Sequence, residues 1–274
     1  MRIILSVVFA SALLSVSAQG WLPQGARSAG VGNASLTFED AFAYHHNPGA
    51  LGFLENSEVA IHYEARFMLR ELQTQGFAYA QPLKTGVLSV GGQFYGYEHF
   101  RTNRVGAGYS MQLTDKLAGG VQLNYMSLRL DPAYGIRHAV SGEAGLLTKF
   151  SDDFRLGFSV VNIGRARLSE YEDDRFTTTM RLGVGYKIID ELDFLIEVEQ
   201  AVTHNPRLRA GIEYHPIDFF YFRAGAQGGP MEFSFGTGFN FEQITLDLAS
   251  HYNQILGWTP SASFTFKFLN KKND

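Results

Sequence analysis

The sequence predicts an all-β fold: a closed antiparallel transmembrane β-barrel of about fourteen strands, with a short N-terminal helical plug segment. Three observations predict it. Apolar and polar residues alternate with period two over most of the chain after Ser57. The connections between these segments are alternately short and long, as at the two ends of an outer-membrane barrel. The composition joins 29 Gly, 23 Phe and 13 Tyr to only 18% charged residues, a mixture that favours β-structure over a small soluble core.

The N-terminus has Arg2, an apolar stretch from Ile3 to Val16 interrupted only by Ser6, Ser11 and Ser15, and then Val16-Ser17-Ala18. This reads as a signal peptide over residues 1–18, too short for a spanning helix. There is no cysteine, so neither a lipid-modified Cys nor a disulfide framework is expected. Residues 19–56 do not alternate. Thr37 is a candidate cap for a short helix over Glu39 to Ala43, which Asn47-Pro48 would end. This segment is expected either to plug the barrel or to serve as a tether.

Residues 57–269 read as the barrel and 270–274 as a polar tail. Strands are expected near 57–68, 72–83, 87–100, 104–113, 117–129, 138–150, 154–163, 176–188, 192–201, 207–215, 219–226, 231–241, 244–253 and 261–268. Most have the roughly 9 to 11 residues that a tilted strand needs to cross a bilayer. Residues 231–241 show the pattern best, with Met231, Phe233, Phe235, Phe239 and Phe241 opposed to Glu232, Ser234, Gly236, Gly238 and Asn240. The short connections are 84–86, 114–116, 151–153, 189–191, 216–218 and 242–243. The longer ones include 131–137, 164–175, 203–206 and 254–260, while 69–71 and 101–103 are short members of the same outer set. A soluble sandwich would also alternate, but the dense Phe, Tyr, Leu and Val of the apolar face suit lipid better.

With the apolar face outward, the lumen receives Arg155, Arg181, Lys187, Asp193, Glu197, Glu199, Arg207, Arg209, Glu213, Arg223, Glu232 and Asp247. The two signs are balanced. Cross-strand pairing of Glu197 and Glu199 with Arg207 and Arg209 is expected, because isolated buried charge is costly. Tyr95, Tyr97, Tyr109, Tyr125, Tyr186, Tyr214 and Tyr252 lie toward strand ends and read as an aromatic girdle. Gly91-Gly92, inside the third strand, marks either a bend in the wall or close packing against the plug.

No catalytic residues, cofactor or metal are assigned. His138 and Ser141 point to opposite faces of one strand, and Asp247 and His251 are roughly 13 Å apart along another. Adjacent His45 and His46 read as turn-forming or solvent-facing, with no third ligand nearby. A formal net charge of −4 with scattered basic residues excludes a nucleic-acid partner.

Gly25-Ala26-Arg27-Ser28-Ala29-Gly30-Val31-Gly32-Asn33-Ala34, then Asp40-Ala41-Phe42-Ala43 and Asn47-Pro48-Gly49-Ala50-Leu51, resemble the start of the PorV/PorQ group of FadL-like outer-membrane barrels. The Asn-Pro-Gly departs from that group's Asn-Pro-Ala. Asn162-Ile163-Gly164 continues the resemblance. It implies a bacterial outer-membrane location, in Bacteroidota, and an accessory role in a type IX-like protein export or assembly machine. Outer-membrane lipid and other secretion or assembly proteins would be its partners. The alternative within the superfamily is a FadL-type transporter of a hydrophobic small molecule, which the absence of long outer loops argues against. Arg27, Asn47, Pro48, Gly49, Gly91 and Gly92 are the implied plug and wall residues, since a kinked third strand opens a side window in FadL-like barrels.

Overall fold

The computed structural model describes residues 23–130, 135–167, 175–202 and 205–269. The expected signal peptide and the tail lie outside these. Among the described residues fourteen strands close into one antiparallel barrel, each paired with its sequence neighbours and β1 sealed to β14. The strands are β1 (Ser57–Ala65), β2 (Gln73–Pro82), β3 (Val87–Tyr97), β4 (Phe100–Thr114), β5 (Leu117–Leu130), β6 (Ile136–Lys149) and β7 (Phe154–Val161). The remainder are β8 (Thr179–Ile189), β9 (Leu192–Ala201), β10 (Arg207–Ile217), β11 (Phe220–Gln227), β12 (Glu232–Phe241), β13 (Ile244–Asn253) and β14 (Gly257–Phe268).

Side-chain exposure is inverted relative to a soluble protein. On β5, Val121 and Leu123 are 61% and 66% exposed, whereas Gln122 and Asn124, which alternate with them, are buried. The apolar face therefore looks outward and the polar face lines the lumen, the arrangement lipid requires. At one end the six turns between strands have two to four residues, the tight-turn end of the barrel. At the other end β4 starts at Phe100 and β14 at Gly257. The expected connection at 101–103 is therefore strand, that at 69–71 widens to 66–72, and the loop expected at 254–260 shrinks to 254–256.

Residues 23–56 fold inside the lumen. Helix α1 (Ala26–Gly30) packs on β11–β14, α2 (Ala43–His46) on β2 and β3, and a 3-10 turn at Pro48–Phe53 on β4–β7. The helix expected over 39–43 is displaced. Asp40 Oδ1 accepts from Phe42 N at 2.9 Å, and this Asx turn holds 40–42 out of the helix, which starts only at Ala43. Thr37 caps neither helix. The largest apolar core is where α2 and the 3-10 turn meet the wall: Phe42, Tyr44, Leu51 and Leu54 against Ala60, Ala78, Val87 and Leu147.

Candidate functional site

The plug carries few extended pairings of its own, so its backbone polar groups need partners from the wall. Leu36 N donates to Glu197 Oε2 at 3.2 Å, Ala41 N to Glu58 Oε2 at 2.9 Å and Ala26 N to Ser263 Oγ at 3.1 Å. In the other direction, Ser110 Oγ donates to the Pro48 carbonyl at 2.5 Å and Arg181 Nη1 to that of His46 at 3.3 Å. Asn47 is the densest joint: its Nδ2 donates to the carbonyls of Leu36 at 3.0 Å and Leu146 at 2.9 Å, and its Oδ1 accepts from Gly49 N at 3.0 Å. This packing needs a wall without side chains, because a Cβ at Gly145 would collide with Asn47 Oδ1.

Most of the lumenal charges form chains. Arg181 meets Glu197 at 2.6 Å, and Arg209 spans Glu197 at 2.7 Å and Glu199 at 2.6 Å. Arg223 joins Glu213 at 2.5 Å to Asp247 at 2.8 Å, and Arg155 meets Asp193 at 2.8 Å. Arg27 reaches from the plug to Glu213 at 2.7 Å and to Asp40 at 3.1 Å. The expected partner Arg207, opposite Glu199 in register, instead donates to the Gly229 carbonyl at 3.3 Å, because Arg209 takes both glutamates. Sequence reasoning missed the buried pair Arg104–Glu143. Its two members sit on β4 and β6 with β5 between them, so neighbouring-strand logic does not join them, although the inward parity of both was readable.

His45 and His46 are buried in the plug, not solvent-facing. His45 Nε2 lies 3.0 Å from the Phe77 carbonyl and His46 Nε2 2.7 Å from that of Gln24. Burial and then Arg104 push His45 down to about 3, and burial and then Arg181 hold His46 well below its ordinary value. Tyr95 also departs from expectation: it turns inward, with the Arg66 guanidinium 5.6 Å over its ring. Tyr125, Tyr186 and Tyr214 face outward.

The third strand has no window. Its ladder runs unbroken through Phe77↔Gly92, Ala78↔Gly91, Gly91↔Gly106 and Gly92↔Val105. The two glycines make room for rings on opposite faces: a Cβ at Gly91 would lie 2.5 Å from the Tyr44 ring inside, and one at Gly92 2.6 Å from Phe77 outside.

Beyond the plug, at the end away from the tight turns, the lumen changes character. Met126, Leu128 and Phe176 are buried together, with Phe100, Leu130, Ala139 and Ala166 packed against them. This apolar patch adjoins the place where the wall ladder is incomplete. β6 pairs with β5 out to Arg129↔Ile136 but with β7 only from Lys149↔Arg155 to Glu143↔Val161. Beyond that, among the described residues, Ile163 N donates to the Gly142 carbonyl at 2.9 Å. Asn162, at φ 59°, turns the chain out of the sheet. Its Nδ2 donates to the Phe176 carbonyl at 2.6 Å and its Oδ1 accepts from Ala166 N at 2.9 Å. Asn162 thereby holds Phe176 over the patch.

No protein-family model matches the sequence, and no curated protein matches it. Solved structures do. The CymD monoaromatic hydrocarbon channel superposes with a TM-score of 0.74 at 13% identity, over 92% of this chain and 100% of that one. The chain has its fold. The toluene transporter TbuX of Ralstonia pickettii gives 0.68 at 11% identity over 92% of this chain and 99% of that one. A Pseudomonas aeruginosa FadL homologue gives 0.60 at 12% identity over 88% and 98%. The fold expected from the N-terminal residues is thus shared; CymD is described as a channel and TbuX as a transporter.

Proposed function

We propose that this barrel sits in a bacterial outer membrane and passes small, uncharged, apolar molecules, the role that the sequence reading placed second. The observation that carries the proposal is the apolar patch of Phe100, Met126, Leu128, Leu130 and Phe176 at the end of the lumen away from the tight turns, beyond the charged chains. Buried apolar side chains converging at a channel mouth form a receptor for apolar ligands. The fold shared with a hydrocarbon channel and a toluene transporter supports the same reading, and these neighbours favour passage over the accessory export role. The plug fills the route toward the periplasm, and the seam between β6 and residue 163 lies beside the patch, so a molecule held there has a short path to lipid. Asn162 and Phe176 close that path.

The test is uptake of a radiolabelled monoaromatic hydrocarbon by cells carrying the protein in their outer membrane. Uptake should exceed that of empty-vector cells, and Leu128→Asp should remove most of the excess, since one buried carboxylate makes the patch polar. Uptake equal to the empty vector would overturn the proposal.

A further inference from the structure

On β5 and β6 the inward row turns from apolar to polar at the same height. Met126 gives way to Asn124 on β5 and Ala139 to Ser141 on β6, and the two rows face each other in register, Met126↔Ala139 and Asn124↔Ser141. The apolar patch therefore ends on a polar step, in which Asn124, Ser141 and the next inward residue, Glu143, are all buried. Most of the step is already engaged. Asn124 Oδ1 accepts from the Tyr44 hydroxyl at 2.9 Å, and its Nδ2 donates to Glu143 Oε1 at 2.9 Å. Glu143 also holds Arg104. Asn162 is bonded to Phe176 and Ala166 through its side chain and accepts from Thr178 Oγ1 at 2.9 Å through its carbonyl.

Ser141 differs from these neighbours. It is fully buried, and its Oγ has no hydrogen-bond partner among the described residues, a costly arrangement for a hydroxyl. Of the buried hydroxyls in that condition it is the one next to the patch. Ser89 lies one inward position beyond Gly91, and Ser159 faces Gly145, so both stand at the level of the plug, while Thr74 lies on β2 opposite Glu64. Patch and hydroxyl select the two ends of one ligand. Phe100, Phe176 and the Met126 thioether suit a flat ring, through ring–ring and sulfur–ring contacts. Ser141 follows Ala139 by two residues of strand rise, roughly 7 Å, a gap that one substituent on a ring over Met126 and Ala139 bridges. The inward group beyond it is the Glu143 carboxylate, so the substituent that fits carries its own proton and no negative charge.

We propose that the mouth is selective for monoaromatic rings bearing one hydroxyl, neutral phenols, with the ring in the place that Phe176 covers and the phenolic O–H donating to Ser141 Oγ. The inference rests on the reading of the barrel as a route for small uncharged molecules and narrows it. Ser141 is then a specificity-determining residue. A ring without the hydroxyl still fits the patch but leaves the serine unpaired, and a site with a buried polar group discriminates against the ligand that fails to bond it.

Toluene and p-cresol differ by one hydroxyl. Their uptake at limiting concentration by cells carrying the full chain, each taken as the excess over empty-vector cells, isolates its effect. The wild type should favour p-cresol roughly fivefold, the ratio for one net hydrogen bond of about 1 kcal/mol. Ser141→Ala should remove that preference by lowering p-cresol uptake, while toluene uptake persists. Ser159→Ala, which deletes an unpartnered hydroxyl away from the patch, should keep the wild-type preference. Heat-modifiable gel mobility confirms that each variant is a closed barrel. Equal uptake of the two compounds by the wild type would overturn the inference and leave the transport reading standing, as would a preference that survives Ser141→Ala. Excess uptake of neither compound would overturn the transport reading and this inference with it.

Discussion

Arg27 of the plug and Glu213 of β10 form a two-pronged pair, Nε to Oε2 at 3.0 Å and Nη2 to Oε1 at 2.7 Å. This fork fixes both the distance and the plane of the contact, which a single point charge would not. It is also where the plug enters the lumenal charge chain, because Glu213 is shared with Arg223.

Arg27→Ala should loosen the plug without opening the barrel. Removing one partner of a buried pair costs about 3–5 kcal/mol, but Arg223 still holds Glu213 and Arg27 is partly exposed, so roughly 2 kcal/mol is expected. Limited proteolysis between residues 23 and 56 should become faster while the barrel core survives. In a double-mutant cycle Glu213→Gln should cost less in the Arg27→Ala background than alone, the remaining cost being its pair with Arg223. Fully additive losses would mean that the fork does not hold the plug.

Acidification should release the plug. His45 is held at about 3 when docked, against an ordinary value of 6.5, and His46 is also lowered. As pH falls below about 6.5 the undocked plug takes up protons that the docked one refuses, so docking weakens roughly tenfold per pH unit for each histidine. The effect is absent above neutrality and for His45 is complete near pH 3. Hydrogen exchange over residues 41–50 should rise between pH 7 and pH 5 in the wild type and rise less in His45→Gln. A pH-independent profile would rule this out.

The seam beside β6 can be locked, because the chain contains no native thiol. Gly142 and Ile163 are joined by one backbone bond, and a disulfide accepts Cα atoms roughly 4.4–6.8 Å apart. Gly142→Cys with Ile163→Cys should lose hydrocarbon uptake on oxidation and regain it on reduction. Ile61→Cys with Phe264→Cys, paired across the β1–β14 seam, should be insensitive to both treatments. Undiminished uptake by the oxidised first pair would place the route elsewhere.

The strands were legible because each is a local pattern: alternation at 231–241 reports a face whichever strand lies beside it. β9 and β13 begin and end where their alternation does. The lumenal parity of Glu197, Arg209 and Arg223 came from the same signal. What was illegible depends on distant partners. The role of Gly91 is set by Tyr44, 47 residues away, and that of Asn162 by the carbonyl of Phe176. The apolar patch escaped notice because Met126 and Leu128 occupy inward positions on β5, which continue the polar row of Gln122 and Asn124. Apolar residues at the end of a polar row break the pattern there and could have been flagged.

The bond from Ala26 N to Ser263 Oγ joins residues 237 positions apart, and α1 packs almost wholly on β11–β14, the last strands to be made. The first part of the chain to fold inward therefore waits for the last part to arrive. Such non-local contacts come late and slowly. Seating the plug therefore requires the strands on either side of the β1–β14 seam to be in place, so residues 23–56 serve the closing barrel as a mandrel.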